Sequence, residues 1–366
     1  MNKSIPVTSP ACDDVPPGTL TVEQALAKIE ELITPIEETT TLGLTDALQH
    51  VLAEVITSPI NVPPHRNSAM DGYAVAGTDL ASNNKIELKI IGTAFAGNPY
   101  QGQVGAGQCI RIMTGAQVPE GADTVIMQEH VERRDDTLIV GAGHCTGQNV
   151  RQAGEDIAKG DVVLEPGCLL RAAELGLLAS LGIPTVEVKR KLKVAFFSTG
   201  DELSPVGEPL AEGQIYDSNR YTIYGMLKGL HAEIIDLGVI PDDPQAVEKA
   251  FNEAAELADA VITSGGVSVG DADYVKATLD KLGQVDFWKI AMKPGKPLAF
   301  GKIKQAVFFG LPGNPVSVMA TYYQFALPAL RRLMGQQQVI PVIIKLPCSE
   351  SLKKRPGRTE IQRGII

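Results

Sequence analysis

Hydrophobic residues recur at helical spacing near the start of the chain. The apolar positions fall three or four residues apart, at Val22, Ala25, Leu26, Ile29, Leu32 and Ile33. Thr21 and Gln24 have the residue types of a capping box, in which each side chain accepts a hydrogen bond from the other residue's backbone N–H. The pattern predicts a first helix, which Pro35 ends. Residues 39–57 form a second amphipathic segment.

The pattern changes from about residue 67 to residue 163. Short runs of alternating apolar and polar positions occur at 86–91, 109–112 and 124–127, with glycine-rich turns between them. Alternation with a period of two residues is typical of strands. This part therefore predicts a small, mostly β domain, after which a helical pattern returns at 169–181.

Apolar runs alternate with amphipathic stretches from residue 193 onward. The expected strands and helices are strand 194–198, helix 219–230, strand 232–239, helix 244–257 and strand 260–263. Strands that alternate with helices predict a parallel sheet with right-handed crossovers. A last apolar run at 339–346 begins another β unit, with few residues left to complete it.

Together these patterns predict a multidomain α/β fold. A chain of 366 residues is too long for a single ordinary core. We expect a central parallel α/β domain, an elongated helical segment, a small β-rich domain and a partial C-terminal β domain. The expected boundaries are 20–58 with 164–191 for helical domain I, 59–163 for β-rich domain II, 192–335 for α/β domain III and 336–366 for domain IV, which is apparently incomplete.

Composition excludes several classes of protein. The hydrophobic fraction of 44% and the charged fraction of 21% are those of a soluble globular protein. No apolar run is long enough to cross a bilayer and the N-terminus lacks a signal peptide's apolar core, so we expect a cytoplasmic protein with no membrane partner. A formal net charge of −10 disfavours nucleic acid as a partner. The five cysteines form no C-x-x-C pair, so any metal is expected to be bound by oxygen.

The loop after the expected strand 260–263 carries the strongest chemical signal. Its small and hydroxyl residues are typical of an anion site: Ser264, Gly265, Gly266, Ser268 and Gly270. Asp271 and Asp273 in the same loop would repel a bare phosphate unless a divalent cation lay between them. The loop therefore predicts a metal–phosphate site, with capping of the next helix as the alternative role for the two acids.

Two more loops follow strand ends. One has three lysines around a Pro-Gly turn and the other has two prolines: Lys289, Lys293, Lys296, Pro312 and Pro315. In open parallel sheets, ligands bind beyond the carboxyl ends of the strands. We therefore expect these loops and the loop at 263–274 to converge on one site, although solvated lysines on an exposed turn are the plainer alternative.

Acidic residues follow the other two strand ends. Asp201 and Glu202 could hold a cation through their oxygen atoms, or Asp201 could cap the next segment. Asp243 precedes a proline and is expected to be a helix N-cap, which leaves Asp242 for chemistry.

The helix at 219–230 begins with residues that favour caps. Ser218 and Asn219 are the expected cap residues, and Arg220 is expected to point outward.

Three other segments are ambiguous from spacing alone. Residues 67–74, which include Asp71, and residues 111–116, which include Thr114, are either structural turns or parts of a site. Near the end of the chain, Arg355 and Arg358 flank a Pro-Gly turn that suits bidentate phosphate contacts, with a solvated strand face as the alternative.

Seven motifs together resemble one known family. They occur in the family's order at residues 67–73, 111–116, 198–203, 263–270, 292–297, 311–317 and 354–358. From about Leu20 to Gly364 the chain is similar to the molybdopterin molybdenumtransferases, called MoeA in bacteria and found as the E domain of gephyrin in animals. Members of that family usually continue through a serine-bearing segment of the last domain that is absent here.

The resemblance implies an enzyme that takes adenylylated molybdopterin, cleaves its pyrophosphate link and inserts molybdate at the dithiolene sulfurs. AMP and molybdenum cofactor are the products, and Mg²⁺ is the expected divalent cation. The resemblance also implies a homodimer whose site is shared across subunits, an α/β domain like that of the molybdopterin adenylyltransferase, and possible contact with that enzyme.

The same resemblance implies roles for individual residues. The expected catalytic residues are Glu202, Asp242, Asp273, Lys289 and Lys293, and the first three are also the expected metal ligands. In this hypothesis the acids hold magnesium against the pyrophosphate, and the lysines and the backbone at 265–270 neutralise its charge. The expected substrate-binding residues are Asp71, Thr114, Ser264, Gly265, Gly266, Ser268, Gly270, Pro312, Pro315, Arg355, Arg358 and Arg363.

Other functions remain open at this point. A molybdopterin adenylyltransferase would share the α/β domain but would consume ATP and release pyrophosphate. A non-catalytic scaffold or a cofactor carrier would bind without turnover, although a pure scaffold has no need of the acidic and lysine positions. Fold alone does not rank these functions, because function resides in the site.

Overall fold

The computed structural model describes residues 18–81, 84–265, 274–347, 349–350, 357–362 and 364. The chain divides into two compact units. The first, here called the α/β unit, takes its residues from Met1–Glu54, Pro166–Leu175 and Thr185–Ile366. The second, here called the β unit, takes its residues from Val55–Glu165 and Gly176–Pro184. The four-domain division expected from the sequence stays a prediction.

The helices and strands have the following bounds. The helices are α1 (Val22–Leu32), α2 (Ala172–Ser180), α3 (Ser218–Gly229), α4 (Pro244–Leu257), α5 (Tyr274–Leu282), α6 (Pro315–Thr321) and α7 (Leu327–Leu333). The strands are β1 (Thr19–Leu20), β2 (Thr39–Gly43), β3 (Ile56–Thr57), β4 (Asn67–Ser68), β5 (Gly72–Val75), β6 (Ile86–Ala94), β7 (Gln108–Ile112), β8 (Thr124–Met127), β9 (Val131–Arg134), β10 (Thr137–Val140), β11 (Val150–Arg151), β12 (Val162–Leu164), β13 (Thr185–Lys189), β14 (Lys193–Thr199), β15 (Leu203–Ser204), β16 (Ile215–Tyr216), β17 (Glu233–Ile240), β18 (Ala260–Ser264), β19 (Gly283–Ile290), β20 (Met292–Lys293), β21 (Pro297–Ile303), β22 (Ala306–Leu311) and β23 (Thr359–Glu360).

A seven-stranded sheet is the centre of the α/β unit, with the strand order β1-β19-β21-β22-β18-β14-β17. The pairs of β14 with β17, β14 with β18 and β18 with β22 are parallel, as the alternating pattern predicts. The pairs of β19 with β21 and β21 with β22 are antiparallel, an addition to the parallel strands that the pattern at 194–263 does not predict. The reason is the length of the connections at 291–296 and 304–305, since a parallel crossover needs a dozen or more residues.

Helices cover both faces of this sheet. Val194 and Phe196 of β14 pack on one side with residues of α1, α3, α6 and α7. Ala195 and Phe197 of the same strand pack on the other side with residues of α4 and α5. Successive side chains of a strand point to opposite faces, so a strand buried on both faces is apolar throughout. The result is a helix–sheet–helix arrangement, as expected for an α/β domain.

Most of the predicted helix starts are confirmed. At α1, the Thr21 N–H donates to Gln24 Oε1 at 2.9 Å and the Gln24 N–H donates to Thr21 Oγ1 at 3.2 Å. At α4, Asp243 accepts hydrogen bonds from the N–H groups of Gln245 and Ala246. At α3 the prediction is wrong: the N-cap is neither Ser218 nor Asn219.

Asp217 caps α3 instead. Its carboxylate accepts the Arg220 N–H at 3.0 Å. The expectation that Arg220 points outward is also wrong, because its guanidinium forms hydrogen bonds to both carboxylate oxygens of Asp236 at 2.9 to 3.1 Å. The cap therefore comes from Asp217, one position before Ser218, and the direction of Arg220 is set by Asp236 on β17.

The β unit contains a six-stranded sheet with the order β8-β5-β7-β6-β10-β9. Buried side chains cover both faces of it: Ile110 and Val125 belong to one cluster, and Tyr73 and Leu138 to another. The mostly β character predicted for this part of the chain is therefore observed.

The end of the chain departs from its pattern. Residues 339–346, expected to begin a β unit, form no strand in the structure. Val342 and Ile343 are 78% and 80% exposed, and an apolar stretch without a neighbouring strand gains nothing from the β conformation. Further on, β23 pairs in parallel with β20. Among the described residues, no helix has the length and apolar character needed to span a bilayer.

Candidate active site

Five strands of the central sheet end at the same edge. Since β14, β17, β18 and β22 run in parallel and β19 lies two antiparallel steps from β22, their carboxyl ends coincide. This carboxyl edge carries the loops that the sequence singles out, after residues 199, 240, 264, 290 and 311. Topology alone thus brings these loops to the place where ligands bind in open α/β sheets.

Carboxylates lie at one end of the carboxyl edge. The Asp242 N–H donates to Asp201 Oδ1 at 3.2 Å, which joins the loops after β14 and β17. Partial desolvation raises the pKa of Asp242, and the nearby charges of Asp201 and Glu202 raise it further. Repulsion between neighbouring carboxylates is relieved when a cation binds them.

These oxygen donors suit Mg²⁺, which prefers carboxylate ligands. In the described part of the chain, no group of three His, Cys, Asp or Glu side chains is close enough to enclose a metal ion. Asp273, the third expected ligand, lies outside the described residues, as do Gly266, Ser268 and Gly270. Glu202 and Asp242 are therefore the two expected ligands that the structure places.

Gly265 begins the serine–glycine loop in a conformation that needs glycine. Its φ is +94°, and a Cβ atom there would lie 2.8 Å from the Thr199 carbonyl oxygen. Its N–H donates to the Leu311 carbonyl at 3.3 Å, so the main chains after β14, β18 and β22 are in close contact. Ser264 is buried at the end of β18, where its hydroxyl faces Asn219.

Asn219 connects two of these loops, a role that sequence reasoning missed. Its Nδ2 donates to Ser264 Oγ at 2.9 Å and to the Gly313 carbonyl at 2.7 Å. The proline loop continues through Asn314, which caps α6 by accepting the N–H groups of Val316 and Ser317. The available signal is the Asp-Ser-Asn sequence at 217–219, which on its own indicates only a helix cap.

A small cleft opens beside Asn219. Its volume is about 90 Å³, and its lining includes Thr199, Glu202, Asp217, Gly265 and Pro315. The cleft thus joins the acidic loop after β14 to the serine–glycine and proline loops.

Cations lie at the other end of the carboxyl edge. Lys289, at the end of β19, and Lys293, in β20, are exposed, and so is Arg358. The pairing of β20 with β23 brings the chain beside Arg358 against the lysine loop, because the Ile361 N–H donates to the Lys293 carbonyl at 2.9 Å. These three cations have no salt bridge to any carboxylate that the structure describes. Arg355 and Arg363 lie outside the described residues.

Asp71 and Thr114 are joined in the β unit. Asp71 Oδ1 accepts the Thr114 N–H at 2.8 Å and the Thr114 hydroxyl at 2.6 Å. These two hydrogen bonds, helped by the charge of Arg111, hold the pKa of Asp71 below its ordinary value. Arg111 itself donates to Tyr73 Oη at 3.2 Å and to Gln128 Oε1 at 2.5 Å. The two segments that were ambiguous in the sequence thus form one polar cluster.

Two family models match the chain. The N-terminal region of MoeA (domain I and II) matches residues 20–182, and a probable molybdopterin-binding domain matches residues 195–332. The second match contains the whole carboxyl edge apart from Arg358. Fold and site together define an α/β protein of the molybdopterin-binding class.

Known relatives narrow the class to one family. The chain is 52% identical to the molybdopterin molybdenumtransferase of Haemophilus influenzae over 94% of its length and 86% of the relative's length. It is 37% identical to that of a Nostoc species, covering 86% of this chain and 74% of the relative. A molybdopterin biosynthesis MoeA protein structure from Pyrococcus horikoshii matches with a TM-score of 0.76 and 33% identity, covering 88% of this chain and 81% of that chain. The chain belongs to the molybdopterin molybdenumtransferase family, a family of enzymes, which confirms the resemblance of the seven motifs.

Proposed function

We propose that this chain transfers molybdenum to molybdopterin. Its substrates are adenylylated molybdopterin and molybdate, and its products are AMP and molybdenum cofactor, with Mg²⁺ as the cofactor. The observation that carries the proposal is the carboxyl edge, where carboxylates, a glycine turn and cations with no salt bridge among the described residues follow the strand ends of one sheet, in a protein of net charge −10. Anionic substrates would otherwise be repelled by so acidic a protein.

The acids are proposed to act at the diphosphate. Glu202 and Asp242, with Asp273, would hold Mg²⁺, which when bound supplies positive charge to the diphosphate oxygens. The hydrogen bond from the Asp242 N–H to Asp201 holds the loop after β17 against the loop after β14. The loops that carry Glu202 and Asp242 are therefore positioned before substrate arrives. Such preorganisation lowers the cost of rearrangement during the reaction.

The cations are proposed to neutralise negative charge elsewhere on the same substrates. Four strand steps separate β19 from β14, and at about 4.8 Å each they place the two strands roughly 19 Å apart. An adenylylated pterin is an extended molecule, so groups at the two ends of the edge face different parts of it. We therefore replace the hypothesis that the lysines neutralise the diphosphate: Lys289, Lys293 and Arg358 are suited to the anion that lies away from the acids, which is molybdate.

We also propose that the active enzyme is a cytoplasmic homodimer whose site is shared across subunits. Asp71 and Thr114 belong to the β unit, whereas the other expected site residues that the structure places belong to the α/β unit. Their ionised, hydrogen-bonded cluster is suited to a polar substrate group, and a second copy of the chain would supply it. Contact with the adenylyltransferase that forms the substrate is part of the same proposal.

The test is a product assay with purified protein, adenylylated molybdopterin, Mg²⁺ and molybdate. The expected result is stoichiometric release of AMP together with molybdenum cofactor. A parallel reaction with molybdopterin and ATP should release no pyrophosphate, and pyrophosphate there would identify an adenylyltransferase instead. Substrate bound without any turnover would identify a scaffold or carrier and reject the proposal.

A further inference from the structure

Asp217 lines the small cleft beside Asn219. It is only 4% exposed, and one carboxylate oxygen caps α3 by accepting the Arg220 N–H. The other oxygen, Oδ2, is buried and has no hydrogen-bond partner among the described residues. Since buried polar atoms are nearly always paired in native proteins, an unpaired carboxylate oxygen beside a cleft indicates a missing donor.

Asn219 lines the same cleft and carries a second unpaired acceptor. Its Nδ2 donates to both Ser264 Oγ and the Gly313 carbonyl. A carbonyl oxygen only accepts hydrogen bonds, so the contact with Gly313 fixes which end of the amide is the donor. The remaining atom, Oδ1, is buried and has no partner in the described part of the chain.

Two unpaired acceptors on residues that line one cleft limit what the cleft can bind. A phosphate would meet the negative charge of Asp217 and is excluded from this position. A group that presents two neighbouring hydrogen-bond donors would satisfy both acceptors. Vicinal hydroxyls of a sugar have this chemistry, and a carboxylate that accepts a ribose hydroxyl is a recurrent arrangement in nucleotide-binding folds.

We infer that Asp217 and Asn219 bind the 2′- and 3′-hydroxyls of the ribose in the adenylyl group. This inference rests on the proposed function, which supplies the adenylyl group. Glu202 lines the same cleft, and the neighbouring Asp201 contacts the Asp242 loop, where the diphosphate is proposed to lie. The ribose is joined to that diphosphate through a single methylene group, whereas the N–H donors of the pterin are separated from it by a further ring.

The test compares binding of AMP and of 2′,3′-dideoxy-AMP by titration calorimetry. Wild-type protein should bind AMP about tenfold or more tightly than the dideoxy nucleotide, because two hydrogen bonds are lost, one of them to a charged group. In Asp217→Ser the preference should become much smaller, because only the hydrogen bond to Asn219 remains. Serine is itself a good N-cap, so the variant keeps the start of α3.

Asp243→Ser is the matched control, because Asp243 caps α4 in the same way and does not line the cleft. It should keep the full preference for AMP. The inference is overturned if wild type binds the two nucleotides equally or binds neither, or if Asp217→Ser keeps the full wild-type preference. It is also overturned if Asp217→Ser weakens binding of 6-hydroxymethylpterin and not of AMP.

Two further measurements separate the possible failures. The wild-type comparison of the two nucleotides needs no variant, so a folding defect in Asp217→Ser does not remove the test. AMP release from adenylylated molybdopterin is measured on the same wild-type sample. AMP release without a hydroxyl preference rejects the ribose subsite and keeps the proposed function, and the reverse result rejects the function and keeps the subsite.

Discussion

Single residues determine the geometry of the carboxyl edge. Gly265 permits close contact between the chains after β14 and β18, and Asn219 joins the serine–glycine loop to the proline loop. The sequence predicts the need for glycine at 265, since the residue type implies a special backbone conformation. It does not predict the contacts of Asn219, because its partners Ser264 and Gly313 are distant in sequence and become neighbours only through the strand order.

Replacing Gly265 should destabilise the protein. In Gly265→Ala the new Cβ would lie 2.8 Å from the Thr199 carbonyl, in a backbone conformation with φ of +94°. We expect unfolding free energy to fall by about 1–3 kcal/mol, with loss of AMP release. Urea denaturation measures the first quantity. Gly313→Ala is the matched control for stability, because nothing lies within 4 Å of its Cβ position. Equal stability of the two variants would contradict the account.

At the scale of elements, pattern and capping chemistry predict most helices and strands. Predictions for α1 and α4 succeed because their signals are local, a capping box in one case and an Asp-Pro start in the other. The cap of α3 is predicted wrongly and the antiparallel strands of the sheet are not predicted, for competing or non-local reasons. Asp217, Ser218 and Asn219 are all residue types that cap helices, and Asp217 forms the cap. The direction of β21 relative to β19 depends on the length of the connection between them, which periodicity does not report.

Adjacent residues at the start of α4 should separate stability from chemistry. Asp243→Ala removes the N-cap and should lower unfolding free energy by about 1 kcal/mol while AMP release continues at the wild-type rate. Asp242→Asn should keep the stability of the wild type and slow AMP release by about a hundredfold or more. Steady-state kinetics beside thermal unfolding would check both. Slow AMP release by Asp243→Ala together with a wild-type rate for Asp242→Asn would contradict the assignment of the cap to Asp243 and of the chemistry to Asp242.

At the scale of the whole molecule, the sequence identifies the family and predicts the chemistry of the carboxyl edge. The structure adds which residues share a unit. The join between Asp71 and Thr114 is an example: each lies in an irregular turn, and only the sheet of the β unit brings the turns together. Another is the pair His50 and His231, whose rings lie 5.4 Å apart in the α/β unit. No spacing rule links residues so far apart along the chain.

This histidine pair predicts an acid limit to stability. Burial, together with the charge of Lys191, lowers the pKa of both His50 and His231 from the ordinary value of 6.5. The unfolded chain therefore binds protons more readily than the folded one, and unfolding free energy should decline as pH falls below about 6.5. Urea denaturation at pH 7.5, 6.0 and 5.0 measures the decline. It should be smaller in His50→Gln and unchanged in His130→Gln, an exposed control, and equal declines in all three proteins would exclude the pair as the cause.

The most direct measurement compares two lysines at opposite edges of the central sheet. Lys293 lies in the loop at the carboxyl edge, and Lys302 lies near the other end of β21, beside the hairpin to β22. AMP release from adenylylated molybdopterin, with Mg²⁺ and molybdate, is measured for Lys293→Met and Lys302→Met. The account predicts a loss of about a hundredfold or more for Lys293→Met and a rate within about twofold of wild type for Lys302→Met. Equal rates for the two variants, or a greater loss in Lys302→Met, would contradict the placement of the reaction at the carboxyl edge.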